Sequence, residues 1–200
     1  MSGAPGQTAP TRAAIIGSGA WGTTFAALIA EAGGSATIWA RRAEIAEEIN
    51  AGSNERYLPG LRLPSAVRAT TDMAAAADGA EMVVVAVPSQ ASRGIVAPLA
   101  GRLDERAAVV SLMKGIELGT GLRMSEVMGQ ALKVGPERLA VISGPNLADE
   151  IAARQPTATV IAAADEDLAA RVAAACATAT FRPYTNTDVL GVELCGAVKN

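Results

Sequence analysis

Hydrophobic and polar positions along the chain alternate between two patterns. Short runs that are apolar at nearly every position predict strands buried on both faces of a parallel sheet. Longer stretches with apolar residues three or four positions apart predict helices between them. The predicted strands are residues 13–16, 35–40, 67–70, 81–87, 107–112, 139–143, 157–163 and 181–184.

The predicted helices carry the expected start and stop signals. Asp72 and Asp165 are suited to cap helices, Gly33 and Gly34 end one, and Pro98 interrupts another. Residues 52–64 are too rich in turn residues for a regular element. The helical stretches are residues 23–33, 43–50, 73–79, 90–103, 124–132, 147–153, 166–177 and 188–200.

This alternation predicts an α/β fold. We expect a Rossmann-type doubly wound, mainly parallel sheet with flanking helices and right-handed crossovers. Ligands of such sheets bind beyond the carboxyl ends of the strands. The segments that follow predicted strands should therefore meet at one edge, and they are residues 17–22, 41–42, 88–89, 114 and 144–146.

Residues 17–22 read Gly-Ser-Gly-Ala-Trp-Gly, between a predicted strand and a predicted helix. That context is typical of dinucleotide binding by G-x-G-x-x-G. The first glycine permits a tight turn, the second lets the backbone approach a pyrophosphate, and the third lets the helix pack closely. The free N–H groups of the helix would bind the anion. The predicted cofactor contacts are Gly17, Ser18, Gly19, Ala20, Trp21 and Gly22; a turn without a ligand, and a Trp21 that only packs against the sheet, are the alternatives.

The end of the second predicted strand indicates which dinucleotide is bound. An NAD-binding domain carries an acidic residue there, which holds the ribose 2′-hydroxyl. This chain has Arg41 and Arg42 instead. Two guanidinium groups suit a 2′-phosphate, so NADP is favoured over NAD. The alternative is two solvated arginines at a strand end.

Two lysines are candidates for the chemistry. Lys114 follows a buried strand, where an ammonium can hold a phosphate as a point charge. Lys199 shares a helix face with Val192, Cys195 and Gly196. Burial among such neighbours would equip a lysine for proton transfer. For both lysines the alternative is an ordinary solvated side chain.

Composition narrows the function classes. The chain has 200 residues, a net charge of −3 and no basic run, which argues against nucleic acid and an anionic membrane surface as partners. It has no histidine, and Cys176 and Cys195 lack metal-ligand spacing, so we predict no metal site and no Ser-His-Asp triad. The low cysteine content and the lack of a signal-peptide pattern predict a cytoplasmic protein.

Six separated motifs occur in a characteristic order. They are GSGAWG at 17–22, NERYLPG at 54–60, VPSQ at 87–90, KGIE at 114–117, SGPNLADE at 143–150 and GAVKN at 196–200. Together they resemble the bacterial NAD(P)-dependent sn-glycerol-3-phosphate dehydrogenase family, from about residue 12 to residue 200. The resemblance implies reversible reduction of dihydroxyacetone phosphate to sn-glycerol 3-phosphate, for glycerophospholipid synthesis.

The resemblance also implies residue roles. Lys199 matches the catalytic lysine, which donates a proton to the ketone oxygen in reduction and accepts one in oxidation. An ammonium there would stabilise the developing alkoxide. Asn146 stands where the family often has threonine or serine. The implied cofactor contacts are Trp21, Arg41, Arg42, Tyr57, Pro88, Lys114 and Ala148, and the implied substrate contacts are Lys114, Gly144, Asn146, Lys199 and Asn200.

The family has a helical C-terminal domain that begins with the last predicted helix. We therefore expect a disordered leader at 1–11, an NAD(P)-binding domain at 12–187, and the first helix of the helical substrate domain at 188–200. Such a fragment would bind the dinucleotide but turn over weakly or not at all. A related reductase of the ketopantoate or 6-phosphogluconate type and a non-catalytic dinucleotide sensor are the alternatives, and a homodimer is left open.

Overall fold

A computed structural model of the chain describes residues 11–199. Strands and helices alternate along them, as the hydrophobic pattern predicts. The strands are β1 Arg12–Ile16, β2 Ser35–Trp39, β3 Val67–Thr70, β4 Met82–Val85, β5 Ala108–Ser111, β6 Leu139–Ser143, β7 Thr157–Ala163 and β8 Phe181–Asn186. The α-helices are α1 Ala20–Glu31, α2 Ala43–Asn50, α3 Met73–Ala77, α4 Ser92–Val96, α5 Met124–Leu132, α6 Ala148–Ala152, α7 Glu166–Cys176 and α8 Val189–Lys199.

The strands form one sheet in the order β3-β2-β1-β4-β5-β6-β7-β8. Strands β1 to β6 are all parallel, and β7 and β8 run parallel to each other but antiparallel to β6. The prediction of a Rossmann-type, mainly parallel sheet is confirmed. Because β8 is reversed, it ends at the amino edge of the parallel strands, and α8 returns along β6 and β7 to the carboxyl edge.

Two apolar clusters cover the two faces of the sheet. Alternate residues of one strand belong to different clusters: Ile15 packs on one face and Ile16 on the other. This follows from the period of two in a strand. Helices α1, α2, α6 and α7 contribute to the first cluster, and α3, α4 and α5 to the second. The central strands β1, β4, β5 and β6 are consequently buried on both faces, which explains their continuous hydrophobic runs.

Several predicted boundaries are wrong by a few residues. Strand β4 is shorter than the predicted 81–87 and β5 shorter than 107–112, while β8 extends two residues beyond 184. The predicted helix 90–103 is a 3₁₀ turn at Ser89–Ala91, then α4, then a second 3₁₀ turn at Ala97–Leu99. Pro98 lacks the N–H that a continuous α-helix needs there.

The predicted leader at 1–11 stays a prediction. At its last position the carbonyl of Thr11 accepts the backbone N–H of Ser35 at 2.9 Å, at the start of β2. Residues 1–10 lie outside the described residues, as does Asn200. Among the helices of residues 11–199, none has the length and hydropathy needed to cross a membrane.

Candidate active site at the carboxyl edge of the sheet

The segments that follow β1, β2, β4, β5 and β6 all lie at the carboxyl edge of the sheet, because these strands are parallel neighbours. The predicted convergence of residues 17–22, 41–42, 88–89, 114 and 144–146 is therefore confirmed. Helix α8 adds Lys199 to the same edge from the opposite direction.

Two glycines of the turn after β1 are required by packing. Gly17 has φ +122°, and a Cβ there would lie 2.3 Å from the carbonyl oxygen of Ala86. A Cβ on Gly22 would lie 2.3 Å from the carbonyl oxygen of Gly17. A Cβ on Gly19, in contrast, would meet nothing within 4 Å. The protein's own packing does not explain Gly19, whose missing side chain keeps open the space in front of the turn.

The amino end of α1 is available to an anion. Gly19 is its N-cap and offers no side chain to the first-turn N–H groups, and no acidic residue lies in that turn. The N–H groups of Ala20, Trp21 and Gly22 therefore have no helical partner. Such an end carries a partial positive charge and binds phosphate.

Asn54 fixes this turn and was missed by reasoning from residue type and spacing. It is 1% exposed, and its Nδ2 donates to the carbonyl oxygen of Ser18 at 3.0 Å and to Thr23 Oγ1 at 2.8 Å. Its Oδ1 is buried with no partner among residues 11–199. Only the resemblance, through the motif at 54–60, pointed to this loop.

The side chain of Trp21 packs against two other aromatic side chains. Its ring lies edge-on to Phe25 at 5.8 Å between centroids and is tilted against Phe181 at 6.4 Å. It remains partly exposed at the start of α1. Trp21 therefore packs against the sheet, and its contact with a cofactor stays a prediction.

Three further predicted cofactor contacts lie in other segments of the chain. Tyr57 is 37% exposed, with the Arg56 guanidinium 5.9 Å from its ring centroid. Ala148 begins α6, and its carbonyl accepts Thr24 Oγ1 at 3.5 Å, which joins α6 to α1. Pro88 is exposed and lies three residues after the end of β4.

The two arginines after β2 differ in their surroundings. Arg41 is exposed. Arg42 is the N-cap residue of α2; its Nε lies 3.4 Å from Glu44 Oε1, and its Nη2 is buried without a partner in the described part of the chain. An unpaired buried guanidinium nitrogen is costly, so this atom is suited to an acceptor supplied by a ligand.

Lys114, Gly144 and Lys199 come together beside β6. Lys114 Nζ donates to the carbonyl oxygen of Gly144 at 2.8 Å. Burial and, second, the charge of Lys199 lower the pKa of Lys114. Two neighbouring ammonium groups make this part of the edge cationic, which suits an anionic ligand.

A cavity of about 450 Å³ opens next to these lysines, between the end of β6 and α8. Val192, Cys195, Gly196 and Lys199 line it, so the predicted shared helix face is confirmed. Of the two alternatives for Lys199, the structure has the solvated side chain, which is exposed at the cavity rim. The neighbours on α8 are small, and nothing in the described residues covers the ammonium.

The side-chain amide of Asn146 forms hydrogen bonds with other residues of the protein. Its Nδ2 donates to the carbonyl oxygen of Ala158 at 3.2 Å, and its Oδ1 accepts Thr159 Oγ1 at 2.8 Å. The amide thus anchors the loop after β6 to β7. Direct contact of Asn146 with a substrate stays a prediction, and Asn200 lies outside the described residues.

The loop that carries Lys114 is held by side chains to which the sequence analysis assigned no role, although Gln90 and Glu117 lie in two of the motifs. Arg93 Nε and Nη2 donate to the two carboxylate oxygens of Glu117 at 2.9 and 2.8 Å, and Thr120 Oγ1 donates to Oε2 at 2.6 Å. These bonds lower the pKa of Glu117 to about 2. Gln90 bonds the backbone of Ile116 and Leu118. No spacing rule links residues this far apart in sequence.

The thiols are not organised for chemistry with one another. Cys176 and Cys195 are both free, and burial raises the pKa of Cys176 to about 12. Across residues 11–199 no group of three or more potential protein ligands could hold a metal ion.

Residues 12–169 match the family described as the NAD-dependent glycerol-3-phosphate dehydrogenase N-terminus. Curated relatives include the glycerol-3-phosphate dehydrogenase [NAD(P)+] of Streptomyces griseus, 56% identical over 97% of this chain and 58% of its own length. That of Corynebacterium glutamicum is 51% identical over 93% of this chain and 56% of its own length. The chain therefore spans just over half the length of these relatives.

Solved structures of this kind have the same fold. The glycerol-3-phosphate dehydrogenase of Coxiella burnetii superposes with a TM-score of 0.86 at 33% identity, over 93% of this chain and 57% of that one. The Saccharomyces cerevisiae structure gives 0.83 at 26% identity, over 96% and 60%. Given its glycine turn, its sheet order and these matches, the chain belongs to the family of NAD-dependent glycerol-3-phosphate dehydrogenase N-terminal domains.

Proposed function

We propose that this polypeptide binds NAD(P)(H) and takes part in the interconversion of dihydroxyacetone phosphate and sn-glycerol 3-phosphate. The observation that carries the proposal is the meeting of Lys114 and Lys199 beside the carbonyl of Gly144, at the sheet edge that also bears the glycine turn. The first part of the site suits a dinucleotide, and the second suits a small phosphorylated ketone. The names of the relatives support the same pairing.

The residues present fit a dinucleotide. Gly19 leaves clear space before the free N–H groups of α1, which are the expected ligands of a pyrophosphate. Arg42 brings a buried nitrogen that has no acceptor among residues 11–199. The bound cofactor would supply or accept the hydride, and the protein supplies the pocket that orients it.

The lysines carry the remaining chemistry. Reduction of a ketone needs a proton at the oxygen as well as the hydride at carbon, and Lys199 is assigned as the donor. Lys114 uses one N–H on Gly144 and has two left for an anionic substrate. Two neighbouring ammonium groups stabilise negative charge that develops on the oxygen.

NADP is the cofactor we favour, because Arg41 and Arg42 stand where an acidic residue would hold a 2′-hydroxyl. Titration of the protein with NADPH and NADH, followed by fluorescence, tests this. NADPH should bind about tenfold more tightly, and Arg41→Ala and Arg42→Ala should remove that difference while leaving the affinity for NADH unchanged. Equal affinities in the unmodified protein contradict the assignment.

Activity is best tested on two forms of the protein, the 200-residue chain and a form extended to the length of its relatives. Oxidation of NADPH should depend on dihydroxyacetone phosphate, and Lys199→Ala should slow it by about 10²–10⁴-fold with little change in thermal stability. NADPH binding without turnover in either form would favour a cofactor sensor instead.

The proposal also covers the domain organisation of the protein, its location in the cell and its partners. Residues 12–187 form the NAD(P)-binding domain, and residues 188–200 begin the substrate domain. We place the protein in the cytoplasm, with the two triose compounds as its partners. Sedimentation of the extended form distinguishes a monomer from a homodimer.

A further inference from the structure

Glu193 is a buried carboxylate that has no part in the site described above. It lies in α8, is 8% exposed, and takes all its hydrogen bonds from the start of α5. Oε2 accepts from Arg123 at 2.7 Å and from Ser125 Oγ at 2.6 Å, and Oε1 accepts the backbone N–H of Ser125 at 2.8 Å. A carboxylate with an arginine and a helix amino end as partners is strongly held.

Gly196 provides a second fixed point of α8. A Cβ there would lie 2.6 Å from Ser143 Oγ and 3.6 Å from Lys114 Cγ, so α8 meets the end of β6 through this glycine. Glu193 and Gly196 are about one helical turn apart. Two contacts one turn apart fix both the rotation of a helix and its position along its axis.

The carboxyl end of α8 needs such a restraint. Lys199 lies about 9 Å beyond Glu193 along the axis and close enough to Lys114 for its charge to be felt there. Two ammonium groups repel each other, so the end of α8 would move away if it were free. The side chains near that end, Leu194 and Val198, are exposed and do not hold it.

We propose that Glu193 is a positioning residue that binds α8 to the amino end of α5 and so sets the Lys199 ammonium beside Lys114. The role of Lys199 rests on the proposed function. The placement of Lys199 does not, and it can be measured without turnover.

The three lysines of the chain, Lys114, Lys133 and Lys199, make the placement measurable. In protein labelled with 13C-lysine, the Cε shift of each is followed against pH by NMR. Lys199→Met should raise the pKa of Lys114, because the repelling charge is gone. Glu193→Gln should raise it in the same direction, because the released helix carries Lys199 away.

Glu126→Gln is the matched control. Glu126 bonds the same Arg123 at the same end of α5, with Nη2 to Oε1 at 3.0 Å and the backbone N–H to Oε2 at 2.9 Å, but it is not on α8. It should leave the Lys114 titration unchanged. An unchanged titration in Glu193→Gln, or an equal shift in Glu126→Gln, overturns the proposal.

Circular dichroism checks that Glu193→Gln folds. If it does not, Ser125→Ala removes only one of the three bonds, and a smaller upward shift of the Lys114 titration is expected. No shift in a folded Ser125→Ala protein then overturns the proposal.

A kinetic measurement separates positioning from the proposed function. In the extended form, Glu193→Gln should lower kcat about 10- to 100-fold while the affinity for NADPH stays the same, because Glu193 makes no contact with the glycine turn in the described residues. Glu126→Gln should keep kcat. Absence of turnover in the unmodified protein contradicts the function alone, whereas a normal kcat in Glu193→Gln contradicts the positioning role.

Discussion

The two parts of the site are built in different ways, although they lie on the same edge of the same sheet. The glycine turn is one continuous segment, residues 17–22, shaped by backbone contacts such as that of Gly17 with Ala86. The lysine part is assembled from β5, β6 and α8, and its members are held by side chains from α4 and α5. The glycine turn is specified by positions that lack a side chain, whereas the lysine part is specified by contacts between side chains.

The difference has a physical consequence. Backbone contacts at the turn are uncharged and should be insensitive to pH and salt. The lysine part depends on ion pairs, Arg93 with Glu117 and Arg123 with Glu193, and on keeping two ammonium groups close. The first part is therefore recognisable from a short motif, whereas the second depends on contacts between elements far apart in sequence.

The largest effect on stability is expected for Gly17→Ala. The new Cβ would lie 2.3 Å from a carbonyl oxygen at a φ of +122°, so we expect a loss of at least about 3 kcal/mol in the free energy of unfolding. Urea unfolding measures it. A loss below about 1 kcal/mol would mean that the turn can relax.

Gly19→Ala is the matched control within the same turn. Its Cβ meets nothing, so stability should fall by less than about 1 kcal/mol. The affinity for NADPH should nevertheless fall by about tenfold or more, because the methyl group enters the space assigned to the pyrophosphate. Unchanged affinity would place the dinucleotide elsewhere.

A smaller effect should show how far the turn depends on the rest of the fold. Asn54→Ala removes the hydrogen bonds to Ser18 in the turn and to Thr23 in α1, and should cost about 1–2 kcal/mol, with weaker NADPH binding. Asn50→Ala removes two bonds of similar length to Ala69, away from the turn. It should reduce stability without changing NADPH affinity; equal effects of both variants on binding would remove Asn54 from the site.

The smallest effect concerns pH and the lysine part. The pKa of Glu117 is lowered from 4.5 to about 2 by its bonds to Arg93 and Thr120. Its contribution to stability is therefore complete above pH 4.5 and is lost as the pH falls through about 2. The stability difference between the unmodified protein and Glu117→Gln should shrink over that range, as measured by urea unfolding.

Glu105→Gln provides the comparison for this pH series. Glu105 is exposed, and its side chain makes no hydrogen bond within residues 11–199. Its stability difference from the unmodified protein should stay near zero at every pH. A pH-independent difference for Glu117→Gln would show that the Arg93–Glu117 pair does not stabilise the Lys114 loop.

The sequence alone determined most of the fold. Continuous apolar runs located the strands, because burial on both faces requires apolar residues at successive positions. Turn and capping residues located most of the helices, because helix ends require particular residue types. The same holds for residues 17–22, since the spacing of the three glycines between a strand and a helix is itself a local sequence pattern. Strand ends were less certain, because pairing with neighbours decides where a strand stops.

The tertiary structure alone decided the rest. Because β7 and β8 run opposite to the other strands, α8 returns to the carboxyl edge of the sheet. With the opposite strand direction, Lys199 would lie at the amino edge, away from Lys114. The bonds of Asn54 to Ser18, of Arg93 to Glu117 and of Glu193 to Ser125 span 36, 24 and 68 residues. No fixed separation in sequence predicts such contacts, because they depend on which helices and strands pack together.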